Sequence, residues 1–147
     1  MITTTTNEAS RVALNLAAVE AHFHNEAANE VDKAVELYTD DAIWEGPMRG
    51  LVFKGKEATA ANYRKMFSSM ANVQMQPLQR FATVDRVVDD CVVTFDLTGD
   101  GFVNLPLPVG SKVSMRLVHI FEMRDGRIAK EIAFEMWQAG NSQPALR

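Results

Sequence analysis

A length of 147 residues suits one domain with a core of its own, and the single cysteine, Cys91, lying in the apolar run CVVTF, excludes a disulfide-stapled fold. The net charge of −4 and the lack of any basic run of five or more residues exclude a nucleic-acid footprint and an electrostatic membrane anchor. No apolar run approaches the length of a bilayer span, and the opening MITTTTNEAS lacks the basic and apolar regions of a secretory leader, so a cytoplasmic location is expected.

One domain is expected over residues 1–147, with residues 1–6 and 140–147 as loose tails. From Asn7 onward, Val12, Leu16, Val19 and Phe23 recur at spacings of four, three and four, the apolar stripe of a helix that ends near Asn29, with Asn7 or Ser10 available as its cap. A second, short helix runs from Val31 to Tyr38. Thr39, Asp40 and Asp41 break it before the strand AIWEG, which Gly46 and Pro47 stop. Met48 to Lys54 has no clear period, and Gly55 then opens a third helix over Lys56–Met70, with Ala58, Ala61, Tyr63, Phe67 and Met70 on its apolar side.

Strands follow. Val73–Arg86 alternates weakly and Val87–Thr98 strongly, with Asp89 and Asp90 assigned to the turn between them. Gly99, Asp100 and Gly101 make another turn before Phe102–Leu107, a segment closed by Pro106, Pro108 and Gly110. The stretch KVSMRLVHIFEMRDGRIAKEIAFEMW, from Lys112 to Trp137, reads as two long antiparallel strands joined at Asp125 and Gly126, because Asp-Gly between alternating segments is the strongest local hairpin signal. In its first strand Val113, Met115, Leu117, His119, Phe121 and Met123 share one face, and Arg116, Val118 and Ile120 lie on the other. In its second, Ile132, Phe134 and Met136 oppose Glu131, Ala133, Glu135 and Trp137, so neither strand has a wholly polar side. Helices first and strands afterwards predict an α+β fold, the helices packed on one face of a mostly antiparallel sheet.

This element order, together with VELYTDDAIWEGP, KGKEATAANYRKMF and VHIFEMRDGRIAKEI, resembles the NTF2-like fold, and within it the SnoaL-like and ketosteroid-isomerase-like proteins; the matching stretches cover about half of the chain. The resemblance implies an NTF2-like cone, with N-terminal helices on a strongly curved sheet enclosing a hydrophobic pocket. The catalytic groups of the better-known members are not in place. Aligned without gaps, the ketosteroid isomerase tyrosine falls on His22, its proton-moving aspartate on Gly46, and its oxyanion aspartic acid on or beside Val118. The Asp, Arg, Asp relay of limonene-epoxide-hydrolase-like proteins falls near Thr98, Asp96 and Met136, with their water-positioning pair near Trp44 and Gly46. The terminal-strand aspartate of SnoaL-like cyclases falls on Met136, or on Glu135 if the strand carries a bulge.

Within the implied pocket, Trp44, Tyr63, Phe67, Val118, Ile120 and Phe134 are candidate walls. Asp96 interrupts the apolar strand CVVTFDLTG, where a carboxylate must reach solvent, a partner or a cavity. Projected into one concavity, Asp96 and Arg116 would pair and leave an ionised base or an orienting group; otherwise Asp96 sits on a solvated strand face. His22 falls at the helix position that faces the pocket in the family, and its imidazole can donate, accept or carry a proton. His119 reads as a buried structural histidine. Glu131 or Glu135 could stand in for the missing aspartate.

The combined expectation is a small enzyme without cofactor that acts on a hydrophobic cyclic or aromatic molecule by general acid/base proton transfer, as an isomerase, cyclase, lyase or dehydratase. His22 and Asp96 would handle protons, Arg116 would polarise or anchor an oxygen, and Glu135 would also contact substrate. The competing expectation is a non-catalytic binding or interaction module with the same cavity. The three histidines show no metal-ligand spacing, so no metal is expected. The apolar second face of the terminal strands predicts a homodimer.

Overall fold

The terminal hairpin forms around its Asp-Gly pair. Asp125 and Gly126 both take positive φ, 53° and 76°, as a two-residue hairpin turn with the twist of its strands requires, and Arg124 pairs with Arg127 across the turn. A Cβ on Gly126 would lie 2.6 Å from Leu14 Cδ2, so the glycine also lets the first helix pass close by.

Around this hairpin, a computed structural model describes residues 2–24 and 30–140, with side chains from Asn7 onward. The elements are α1 (Ile2–His24), α2 (Val31–Val35), β1 (Tyr38–Gly46), a 3₁₀ turn (Pro47–Arg49), β2 (Leu51–Lys54), α3 (Lys56–Ser68), β3 (Met70–Ala82), β4 (Arg86–Leu97), β5 (Lys112–Arg124) and β6 (Arg127–Ala139). The six strands form one curved, unclosed sheet in the order β2-β1-β6-β5-β4-β3. Every pairing is antiparallel except that of β1 with β6. The expected α+β architecture, helices against a curved sheet, is the one observed.

Register decides which side chains face the helices. Phe121 stands opposite Val87 and Glu131, His119 opposite Asp89 and Ala133, and Leu117 opposite Cys91 and Glu135. These rows share the concave face with Val93, Phe95, Val113 and Met115, and they form the core with Ala18, Val19, Ala60, Tyr63 and Met66 from the helices. Arg116, Val118, Ile120, Ile132, Phe134 and Met136 lie on the convex side, since strand side chains alternate.

Several boundaries differ from expectation. Asp89 and Asp90 are inside β4, not in a turn; the turn is Thr83–Arg86, closed by Thr83 N donating to Arg86 O at 2.8 Å and Arg86 N donating to Thr83 Oγ1 at 3.1 Å. Two acids persist in that strand because each has an arginine: Arg80 for Asp89 and Arg116 for Asp90, each at hydrogen-bond distance. Residues 98–111 form a loop, without the strand expected at Phe102–Leu107, and Phe102 pins it to the core, stacked on Phe95 at 5.9 Å. α2 stops at Val35, so Tyr38 begins β1. The expected tail at 1–6 is helical from Ile2; the expected helix end near Asn29 and the tail from 141 onward lie outside the described residues. No described helix is long and apolar enough to cross a membrane.

Candidate active site

Glu131 is 1% exposed in the middle of β6, and an unpaired carboxylate there would cost several kcal/mol. Four donors from three other elements satisfy it. Tyr38 of β1 donates to Oε1 at 2.5 Å, Tyr63 of α3 lies 2.7 Å from both oxygens, Trp44 of β1 donates through Nε1 to Oε2 at 2.8 Å, and His22 of α1 brings Nε2 to 3.3 Å from Oε1. The two tyrosine hydroxyls also meet each other at 2.7 Å. His22 is wholly buried, its Nδ1 3.3 Å from the carbonyl of Ala34 in α2. Burial alone would raise the Glu131 pKa, but the His22 hydrogen bond and the charges of His22 and His119 outweigh it and hold the carboxyl at about 2. Glu131 is therefore a fixed negative charge at neutral pH.

His119 stands beside it on β5. Its Nε2 is 3.9 Å from Glu131 Oε2 and its Nδ1 is 3.8 Å from Asp89 Oδ2, while Phe121 stacks on the ring at 5.5 Å and Phe23 meets it edge-on at 5.1 Å. Asp89 accepts from Arg80 Nε at 2.7 Å, and Arg80 also pairs with Glu20. Burial would raise the Asp89 pKa; hydrogen bonds and charge from His119 and Arg80 prevail and lower it.

A second buried carboxylate, Glu135, sits four residues further along the same face of β6, beyond Ala133. Arg49 holds it with two hydrogen bonds, Nε to Oε1 at 2.7 Å and Nη2 to Oε2 at 3.1 Å, and Trp137 Nε1 donates to Oε1 at 3.1 Å. The same guanidinium donates to Val103 O at 2.8 Å and lies over the rings of Trp44 and Phe102.

Both carboxylates border one cavity of about 530 Å³ between the helices and the concave sheet. Its walls are aromatic and thioether groups (Phe23, Trp44, Tyr63, Phe67, Phe95, Phe102, Met66, Met70, Met75 and Met115), and its polar points are Glu131, Glu135, His119 and Tyr63. Such a hollow takes a largely apolar molecule and orients it through a few directed groups. Among the described residues no group of three or more histidine, cysteine or acidic side chains has an arrangement that could hold a metal ion.

Of the residues singled out from the sequence, Trp44, Tyr63, Phe67, Glu135 and His119 border the cavity. His22 backs Glu131 without lining the hollow. Asp96 is elsewhere: its side chain is 37% exposed on the convex face, accepting from Asn72 Nδ2 at 2.7 Å with Lys112 at 3.9 Å. Arg116 does not meet it, because Arg116 binds Asp90 through two hydrogen bonds of 2.6 and 2.8 Å on that same face. Val118, Ile120 and Phe134 are on the convex side as well, where register places them, and none lines the cavity. Tyr38 and Asp89 are not signalled by the sequence: Tyr38 continues the helical pattern from Val31, and Asp89 beside Asp90 resembles a turn. The signal for Glu131 was present: it shares a strand face with Glu135 and Trp137.

The family model for the SnoaL-like domain matches residues 19–131, a span that contains His22, Tyr38, Trp44, Tyr63, Asp89, His119 and Glu131. This chain belongs to the SnoaL-like domain family. Similar solved structures include a phenazine biosynthesis-related protein of Pseudomonas aeruginosa (TM-score 0.73, 15% identity, 87% of this chain and 78% of that one covered). An LEH-like epoxide hydrolase of M. tuberculosis is also similar (0.66, 18%, 85% and 84%). So is a candidate SnoaL-like polyketide cyclase of Jannaschia Sp. CCS1 (0.72, 20%, 84% and 86%). Identities this low show the fold alone, a SnoaL-like fold that small-molecule-binding enzymes use. No curated protein matches the sequence.

Proposed function

We propose that this SnoaL-like protein is a cofactor-independent enzyme that moves a proton on a hydrophobic cyclic or aromatic molecule, in the manner of an isomerase, cyclase, lyase or dehydratase. The observation that supports this most is a charged carboxylate and an imidazole side by side in the wall of a largely apolar hollow. Apolar surfaces would bind the ring system, and the polar points would face the atoms whose protonation changes. His22 serves the site as a support for Glu131; Asp96 and Arg116 take no part, because they belong to the other face of the sheet.

A binding module without turnover is the second reading, and one feature favours it: both Glu131 oxygens are already hydrogen-bonded by the protein. Deuterium exchange separates the two. β-Tetralone and β,γ-unsaturated cyclic ketones incubated with the protein in D₂O, followed by proton NMR, should exchange carbon-bound hydrogen faster than in buffer, and Glu131→Gln should lower that rate by about 100-fold or more. Binding of these ketones with no enhanced exchange by the wild type would leave the binding module standing.

The homodimer expected from the sequence would use the convex face, where Val118 pairs with Phe134 and Ile120 with Ile132 beside the exposed Met136. Sedimentation at micromolar concentration should show a dimer, and a pure monomer would reject it.

A further inference from the structure

The geometry points to His119 as the residue that carries the proton, and to Asp89, anchored by Arg80, as the positioning residue that fixes its ring; this rests on the proton-transfer reading above. Of the titratable groups that border or back the cavity, only one is suited to exchange a proton with a ligand: Glu135 is clamped by Arg49 through two hydrogen bonds, and the Tyr63 hydroxyl is engaged with Glu131. Glu131 is saturated by protein donors and stays charged at any pH near neutral. His22 is enclosed between Ala34 O, Tyr38 and Glu131 and does not reach the hollow. His119 lines it.

The placement of His119 follows from strand register. Asp89 is directly opposite it on β4, and on the other side its neighbour is Ala133, whose methyl group leaves the space beside the imidazole open to the cavity. Each ring nitrogen is directed at one carboxylate, Nδ1 at Asp89 and Nε2 at Glu131. Separations of 3.8 and 3.9 Å are ion-pair contacts that close to hydrogen bonds with a small ring movement, the loose geometry usual for catalytic groups without substrate. Asp89 is itself kept from rotating by Arg80, whose guanidinium lies 5.0 Å over the Phe23 ring and pairs with Glu20 at the surface. The charged and titratable groups facing the ring are therefore Asp89 from β4, Arg80 from β3 and Glu131 from β6, with Glu20 and His22 of α1 and Tyr63 of α3 behind them.

In this arrangement Asp89 holds the Nδ1 proton throughout, and the Nε2 proton is the one that moves. The Nε2–H bond breaks as a bond from that hydrogen to one substrate atom forms. A second substrate atom then gives a proton back to the Nε2 lone pair, its bonding electrons remaining on the substrate, so protein and proton count are restored. Glu131 stabilises the imidazolium at the start and end of the cycle.

Nitrogen-15 NMR of the imidazole rings tests this in the ligand-free protein, because the chain has only three histidines and His22→Gln and His24→Gln assign the signals. Above its titration midpoint the wild-type His119 ring should carry its proton on Nδ1. In Asp89→Asn the midpoint should fall by about one pH unit or more, as expected for loss of a neighbouring opposite charge. A neutral ring protonated on Nε2 in the wild type would overturn the proposal without any variant having to fold. So would an unchanged midpoint in a folded Asp89→Asn. In the β-tetralone exchange assay His119→Gln should lose about 100-fold or more, and exchange at the wild-type rate would also overturn it. Correct ring protonation with no wild-type exchange would instead sink the enzyme reading, and with it the catalytic role, while leaving the Asp89–His119 pairing in place.

Discussion

Glu131 and Glu135 are four residues apart on one face of one strand, both buried and both bordering the same cavity, yet they are balanced by different means. Around Glu131 the donors are two phenols, an indole and an imidazole, groups that supply directed hydrogen bonds and, in the imidazole, an adjustable charge. Around Glu135 the balance is a permanent guanidinium with a bidentate grip. The first arrangement leaves a field in which a neighbouring histidine can work. The second is a clamp: Arg49 also holds Val103 O, and Asn104 Nδ2 donates to Arg49 O at 2.9 Å, so the 98–111 loop is tied to the sheet at the point where Phe102 closes the cavity wall. Identical side chains at one strand spacing thus divide chemistry from architecture, according to what stands opposite them.

The largest effect should come from breaking the clamp. Arg49→Met leaves Glu135 buried without its cation, and removing one partner of a buried pair costs about 3–5 kcal/mol. Urea unfolding should show that loss, and limited proteolysis should cut first within 98–111, which Arg49 ties down through Val103 and Asn104. A loss below about 1 kcal/mol would put Glu135 in the same adaptable class as Glu131 and remove the contrast.

Acid should act next, through Glu131. Its folded pKa, about 2, lies below the ordinary value of 4.5, so the stability it contributes is complete above pH 4.5 and is lost as pH falls from 4.5 toward 2. The depression corresponds to something on the order of 3 kcal/mol. Wild type should therefore lose stability across that window more steeply than Glu131→Gln, which has no carboxyl to protonate there. Parallel pH curves for the two proteins would show that the ring of donors does not hold the charge.

How much of this was written in the chain depends on how far apart the partners are. The hairpin was legible because Asp125 and Gly126 lie between the strands they join, and the faces of β5 were legible because alternation is local. Which face of β6 turns inward was not. Ile132, Phe134 and Met136 look like a core stripe and Glu131 and Glu135 like a solvated one, but the acids go inside because His22, Tyr38, Trp44, Arg49 and Tyr63 come from α1, β1, the 3₁₀ turn and α3 to meet them. Hydrophobic alternation ranks the faces of a strand by transfer energy and is blind to donors supplied by distant elements. Asp89 fails for the same reason: VVDDCVV reads as a turn until Arg80 is placed across from it.

Asp96 is the converse, a polar residue in an apolar strand that the sequence offers as catalytic and the fold places outside. Its carboxylate on the convex face meets Asn72 and, at 3.9 Å, the exposed Lys112, a pair of the kind worth about 0–1 kcal/mol. Asp96→Asn should therefore change stability by less than about 1 kcal/mol and leave deuterium exchange of β-tetralone where it was. Exchange that fell about 100-fold in a folded Asp96→Asn would mean that chemistry takes place on the convex side, and the cavity between helices and sheet would then have to be read as core.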